Sequence, residues 1–205
     1  ECERAATIIK QAAAPAHFEQ TFARHYHCSE QDTGPHRCRA CASQAAIYPM
    51  QEEFERQGLD LTSGYGRWRL TRANKNYSLC ESYPRSFVVP ASASDQLVSA
   101  SAEFRAKRRL PILTWVSAEG ASITRGAQPM SGMTFARSAQ DEEYVELIRQ
   151  TNDAARPLHI LDCRPYMNSI ANRAAQGGSE GATYAHCTVS YLDIQNIHAV
   201  RDSFL

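Results

Sequence analysis

Hydrophobic and polar positions alternate in short runs separated by turn residues, and helical runs fall between them. Residues 67–71 alternate around Trp68 and Leu70, as a half-buried strand does. Asn74-Lys75-Asn76 reads as a turn, with 77–80 returning as the second strand of a hairpin. Short strands are also predicted at 86–90, closed by Pro90, at 111–116, at 121–126 after the Glu119-Gly120 turn, at 158–162 and at 188–192. Tyr48 to Gly58 predicts a short helix stopped by glycine. Ser94 caps a helix over 95–109 that places Leu97, Ser101, Phe104 and Arg108 on one stripe. Ser138 and Asp141 form a capping box opening a helix with Tyr144, Leu147 and Ile148 on its apolar face. A helix over 165–175 is broken by Gly177-Gly178, and another begins near Asn196 and runs to Phe204. Strands alternating with helices predict an α/β fold, with a mostly parallel or mixed central sheet flanked by helices.

Residues 1–46 differ in character from 47–205 and read as a helical or linker region, rich in Ala, His and Cys. Residues 3–27 have helical composition, with Pro15 dividing them into two short helices. At 43 % hydrophobic residues the 205-residue chain can bury a sizeable core. Its formal net charge of zero argues against nucleic acid as a partner held by bulk charge. No apolar run is long enough to cross a bilayer. No charged start followed by an apolar run marks a signal peptide, and the chain reads as a piece, or the ordered part, of something longer. The seven cysteines are odd in number, and the last three are widely spaced in apolar segments, as in a protein of a reducing compartment.

Two polar constellations carry candidate chemistry. In the first, Asp162-Cys163-Arg164-Pro165 is followed by Asn168, Asn172 and Arg173. A strand ending at Asp162 and turning into a helix puts these side chains at a strand's carboxyl end, where α/β sheets collect their ligands. Asn168 and Asn172, four apart, share a helix face. A plain structural corner, with Asp162 paired to Arg164 and the asparagines serving the backbone, accounts for the same residues. The second is Leu192-Asp193-Ile194-Gln195-Asn196-Ile197-His198. Asn196 can hold backbone by hydrogen bonds, and His198 is either a structural residue or an acid–base candidate. A third cluster, Cys28, His36, Cys38 and Cys41, could supply a zinc corner; reduced cysteines in a linker are the other reading. The basic run Arg105, Lys107, Arg108 and Arg109 falls at a predicted helix end, as a solvated face or a contact for anionic lipid.

The first two blocks, from Asp162 to Arg173 and from Leu192 to His198, together with Asn76 to Pro84 and the run from Phe104 to Trp115, resemble the upstream part of a myotubularin-type phosphoinositide phosphatase domain. The resemblance implies a cysteine-phosphatase-like fold, here incomplete on its C-terminal side. It implies removal of the 3-phosphate from phosphatidylinositol 3-phosphate and the 3,5-bisphosphate, without a metal cofactor. Asn168, Asn172, Arg173 and Asn196 would then support the pocket, with Asp162, Arg164, Asp193 and His198 behind them. Arg173 stands where the family usually has lysine, replacing a point charge with a planar fork. The family's nucleophilic loop is Cys-x5-Arg, and no cysteine of this sequence has an arginine six positions on. The chain is therefore expected to supply scaffold and pocket walls but no nucleophile. The other reading is a catalytically inactive scaffold, regulator or phosphoinositide-binding module. Either reading implies phosphoinositide head groups as ligands, a cytoplasmic protein peripheral to endosomal-type membranes, and pairing with itself or with relatives.

Overall fold

The computed structural model describes residues 50–61, 66–152 and 155–204. The chain divides into two units, Glu1–Pro49 and Met50–Leu205. The first, with the predicted helices of 3–27 and the candidate zinc cluster Cys28, His36, Cys38 and Cys41, lies outside the described residues.

In the second unit, α1 (Met50–Arg56) precedes β1 (Trp68–Thr71) and β2 (Phe87–Pro90). Helix α2 (Asp95–Glu103) is followed by β3 (Ile112–Val116) and β4 (Ser122–Arg125). Then come α3 (Ala139–Gln150), β5 (Leu158–Asp162), α4 (Tyr166–Ala171), β6 (Cys187–Tyr191) and α5 (Ile197–Asp202). The fold is α/β, as the pattern predicts. The strands do not join one central sheet among the described residues; they form three separate ladders of two. β1–β2 and β3–β4 are antiparallel, and β5–β6 is parallel.

The predicted hairpin of 67–71 with 77–80 is not formed. β1 pairs instead with β2, Trp68 opposite Pro90 and Thr71 opposite Phe87. Asn74 explains the change. Its fully buried side-chain amide donates to the carbonyls of Cys80 (2.8 Å), Tyr83 (3.1 Å) and Pro84 (3.0 Å). Its oxygen accepts from the N–H groups of Leu79 (3.1 Å) and Cys80 (2.9 Å). One side chain thus satisfies the backbone that a second strand would have paired, and 77–84 becomes a packed loop.

The predicted helix over 95–109 also ends early. Ser94 caps its start as expected, its hydroxyl accepting from Leu97 N–H at 3.1 Å. At Arg105 the backbone turns extended, with φ −104° and ψ 141°, and Lys107 and Arg108 have φ of 54° and 57°. The basic run therefore lies in a 3-10 turn outside the helix, and Arg105 is buried rather than solvated. The helix instead buries Val98, Ser101 and Ala102.

The core joins Trp68, Phe87, Val88 and Val89 of the first ladder to Val98 and Ala102 of α2 and Tyr144 and Ile148 of α3. Removing each of the larger of these side chains from water contributes roughly 1.5–3 kcal/mol. Tyr144, wholly buried, donates its hydroxyl to the Pro111 carbonyl at 2.7 Å, so its one polar atom is satisfied. β3 and β4 extend this core. A bulge lies between Leu113 and Trp115, so Trp115 rather than Thr114 stands opposite Ile123.

Candidate functional site

Parallel pairing brings the two polar motifs together. β5 and β6 run in register from Leu158 opposite Cys187 to Asp162 opposite Tyr191. The pairing continues past the strand tips: Leu192 N–H donates to the Asp162 carbonyl at 2.8 Å and Ile194 N–H to that of Cys163 at 2.9 Å. The stretch 162–164 therefore lies beside 192–194 at the carboxyl ends of the parallel pair. Tyr166 and Tyr191 meet edge to face at 5.1 Å between ring centres across this join.

Asp162 and Arg164 form the corner itself. Arg164 donates from Nε to Asp162 Oδ1 at 2.9 Å and from Nη2 to Oδ2 at 2.6 Å, a two-pronged pair, and its backbone N–H adds a third bond at 3.0 Å. Burial would raise the Asp162 carboxyl, but these hydrogen bonds outweigh it and hold the pKa below its usual value. The Arg164 guanidinium is held above its usual pKa by the same hydrogen bonds, against its own burial. The remaining Arg164 donors reach Gln128 Oε1 and, at 2.8 Å, the Gly178 carbonyl. Arg164 is thus committed to protein partners and braces two loops.

Those loops approach each other closely at two glycines. A Cβ on Gly178 would collide with the Ser131 hydroxyl, and one on Gly177 with the Gln128 amide. Gly177 N–H donates to the Asn172 carbonyl at 2.9 Å, tying the loop to the end of the helical segment that carries Asn172 and Arg173. Arg173 places its guanidinium over the Phe135 ring, 5.1 Å from the ring centre. Among the described residues no carboxylate lies within ion-pair reach of Arg173. Asn168 is exposed on α4, and its carbonyl accepts from Asn172 N–H.

The second motif divides. Asp193 is exposed, with φ 54°. Asn196 caps α5, its side-chain oxygen accepting from His198 N–H at 2.9 Å and Ala199 N–H at 3.1 Å. Its hydrogen bonds serve its own helix. His198 is exposed on that helix. The structure therefore joins Asp162, Arg164, Asn172 and Arg173 through one connected set of loops, while Asn196 and His198 occupy the following turn.

Three cysteines lie among the described residues, all free. Cys80 is buried, its thiol 3.4 Å from the Ser82 hydroxyl and 3.5 Å from the Lys107 carbonyl. The Cys187 thiol is pushed up to about 11, by burial first and then by the charges of Glu146 and Glu180, which disfavours the reactive thiolate. Cys163 is exposed at the strand tip. Among the described residues no group of three or more His, Cys, Asp or Glu side chains could hold a metal ion.

Sequence reasoning missed a buried ionic network behind this corner. Arg105 Nε donates to Asp141 Oδ1 at 2.8 Å, and its Nη1 reaches Glu180 Oε1 at 2.5 Å. Ser101 and Tyr184 donate their hydroxyls to Asp141 at 2.7 and 2.6 Å. Burial disfavours the Arg105 charge, yet Glu180 and Asp141 together hold its pKa above the usual value. Burial raises the Tyr184 pKa. The capping box read at Ser138 is only half formed: Ser138 Oγ accepts from Asp141 N–H at 3.2 Å, but the Asp141 carboxylate turns inward. Glu180 is two residues from Gly178, so this network fixes the same loop that Arg164 grips.

A family model for the myotubularin-like phosphatase domain matches residues 22–205. The chain is 44 % identical over 160 residues to myotubularin of Xenopus tropicalis, covering 77 % of this chain and 26 % of that protein. It is likewise 44 % identical over 160 residues to myotubularin of Rattus norvegicus. It is 40 % identical over 159 residues to the phosphatidylinositol-3,5-bisphosphate 3-phosphatase MTMR2 of Bos taurus, covering 77 % of this chain and 24 % of that protein. The chain thus spans 24–26 % of the length of these curated relatives.

Proposed function

The chain belongs to the myotubularin-like phosphatase family, and from that premise we propose that it forms the walls beside the phosphate pocket of a phosphoinositide 3-phosphatase. Its substrates are phosphatidylinositol 3-phosphate and the 3,5-bisphosphate. The relative named for the 3,5-bisphosphate supports this substrate class.

The observation that carries the reading is Arg173. A cation stacked on Phe135, in the helical segment that follows β5 and α4, with no carboxylate partner among the described residues, is a ready counter-charge for a phosphate. Asn172 and Asn168 flank it, and Arg164 with Asp162 holds the loops in place behind it. Asn196 acts at one remove, by capping α5 after β6, and His198 is exposed on that helix. No cysteine of these 205 residues has an arginine six positions on, so they carry no Cys-x5-Arg nucleophile of their own. The 205 residues alone therefore bind the head group without turning it over. A catalytically inactive relative would share this behaviour, so binding without turnover describes the chain under either reading. No helix among the described residues is long and apolar enough to cross a membrane, and access to a lipid head group then comes by peripheral attachment at endosomal-type membranes.

The test uses a soluble short-chain phosphatidylinositol 3,5-bisphosphate. Calorimetry should detect binding that weakens about fivefold or more in Arg173→Ala, the loss of roughly 1 kcal/mol for one half-buried charge–phosphate contact, and phosphate release should stay at background. Release of phosphate by the 205-residue chain, or binding indifferent to Arg173, refutes the assignment.

A further inference from the structure

The outer face of the β3–β4 hairpin carries an apolar and basic group that the pocket does not use. Regular alternation from the buried Leu113 would put Thr114 on that face and Trp115 on the inner one. The bulge between Leu113 and Trp115 instead sets Trp115 opposite Ile123, and the Thr114 hydroxyl holds the irregularity by donating to the Ile123 carbonyl at 2.9 Å. Trp115 and Ile123 are left 45 % and 57 % exposed. Arg125, two residues along β4 from Ile123, points to the same side and is exposed. The inner face, with Leu113 and Val116, is buried in the core.

The charge around this pair is one-sided. Residues 106–127 hold Lys107, Arg108, Arg109 and Arg125 against a single acid, Glu119, in the turn at the hairpin tip. Arg108 reaches Glu103 only at 4.0 Å, with both side chains exposed. Arg109 donates to the Ser82 hydroxyl at 2.7 Å rather than to a carboxylate. Among the described residues Lys107 and Arg125 have no carboxylate within ion-pair reach. Lys107 and Arg108 stand at the hairpin's base with positive φ, a conformation that side chains of this kind rarely adopt.

We infer that this hairpin face docks on an anionic bilayer surface, with Trp115 and Ile123 entering the interfacial layer and Arg125 and the base cations meeting the head groups. Tryptophan suits that layer because its ring is apolar and its N–H is wet. Arginine lays its stem on apolar surface while its charge stays in water. Such docking deepens the proposed function, since it would bring a lipid head group to a chain that has no membrane span among its described residues. It concerns the bilayer surface, however, and not the phosphate pocket.

The two tryptophans make the test direct, because Trp68 is 3 % exposed and Trp115 is the exposed one. The 205-residue chain is mixed with vesicles of phosphatidylcholine, with and without phosphatidylserine, and no phosphoinositide is present. Failure here is therefore separate from failure of head-group binding in the pocket. Binding is expected only with phosphatidylserine, with a blue shift and protection of Trp115 from acrylamide. Arg125→Ala should weaken it about fivefold, one charge near an anionic surface. Trp115→Ala should weaken it comparably or more while leaving the melting temperature in place, since the ring lies outside the core. Equal binding to neutral vesicles, no binding, or binding unchanged in both variants overturns the inference. So does a self-association that Trp115→Ala abolishes without any vesicle binding, which would make the face a protein contact.

Discussion

Asp141 shows how much one residue can depend on partners that its own neighbourhood does not reveal. It is fully buried and receives Arg105, Ser101 and Tyr184. These three partners lie 36, 40 and 43 residues away in sequence, so the local pattern offered only the capping role of Ser138. Removing one member of a buried pair leaves an uncompensated charge in the core. Asp141→Ala should therefore cost about 3–5 kcal/mol in urea unfolding. The Arg69–Asp95 pair has similar separation, 2.7 Å, but its side chains are 29 % and 53 % exposed. Water competes there, and the equivalent change should cost about 1 kcal/mol or less. Equal losses at the two sites would mean that burial does not set the worth of these pairs. Arg164 and Asp162 fall on the legible side of the same line. They are two residues apart, and a plain structural pair was among the readings the sequence left open.

Helix α3 illustrates the next scale, where one element holds several neighbours at once. Tyr144 and Ile148 bury one stripe in the core, as the 3.6-residue spacing predicts. Another part of the helix carries Glu146, bonded by Arg149 at 2.8 and 2.6 Å. The hydrogen bonds from Arg149 hold the Glu146 pKa at about 2 against an ordinary 4.5. A carboxyl depressed in the folded state stabilises above its unfolded pKa and loses that contribution as pH falls through the folded one. Stability measured from pH 5 to pH 2 should accordingly fall less steeply in Glu146→Gln than in the parent; identical slopes would show that the pair persists in the unfolded chain. Strand positions were legible wherever turn residues bracket a short apolar run, as at Leu158–Asp162, which the structure reproduces to the residue. Strand partners were not. The alternation around Trp68 says that a strand exists there, but Asn74 decides that its partner is Phe87–Pro90 and not the nearer 77–80. The closeness of Gly178 to Ser131 is similarly invisible in sequence, because the two loops are 47 positions apart.

At the scale of the whole molecule, the distribution of exposed apolar residues is uneven. Leu161, Tyr166, Met167, Ile194, Ile197 and Phe204 are all more than half exposed, and lie on β5, α4, the turn joining β6 to α5, α5 itself or the turn just past it. The two strands here are parallel, and parallel sheets are stable where both faces are covered and their edges paired. This ladder instead ends after two strands among the described residues, with half-buried and exposed positions alternating along both. An uncovered apolar face next to unpaired strand edges favours association with whatever offers a matching surface. In a solution of this chain alone, that surface is another copy. The 205-residue chain should then show a sedimentation coefficient that rises with concentration in the micromolar range. Ile197→Glu combined with Phe204→Glu should shift it back toward the monomer, while Trp115→Ala, on the opposite kind of surface with its basic surround, should leave it unchanged. A monomer at all concentrations would refute this expectation. Reversal by Trp115→Ala alone would place self-association on the hairpin and remove the bilayer as its partner.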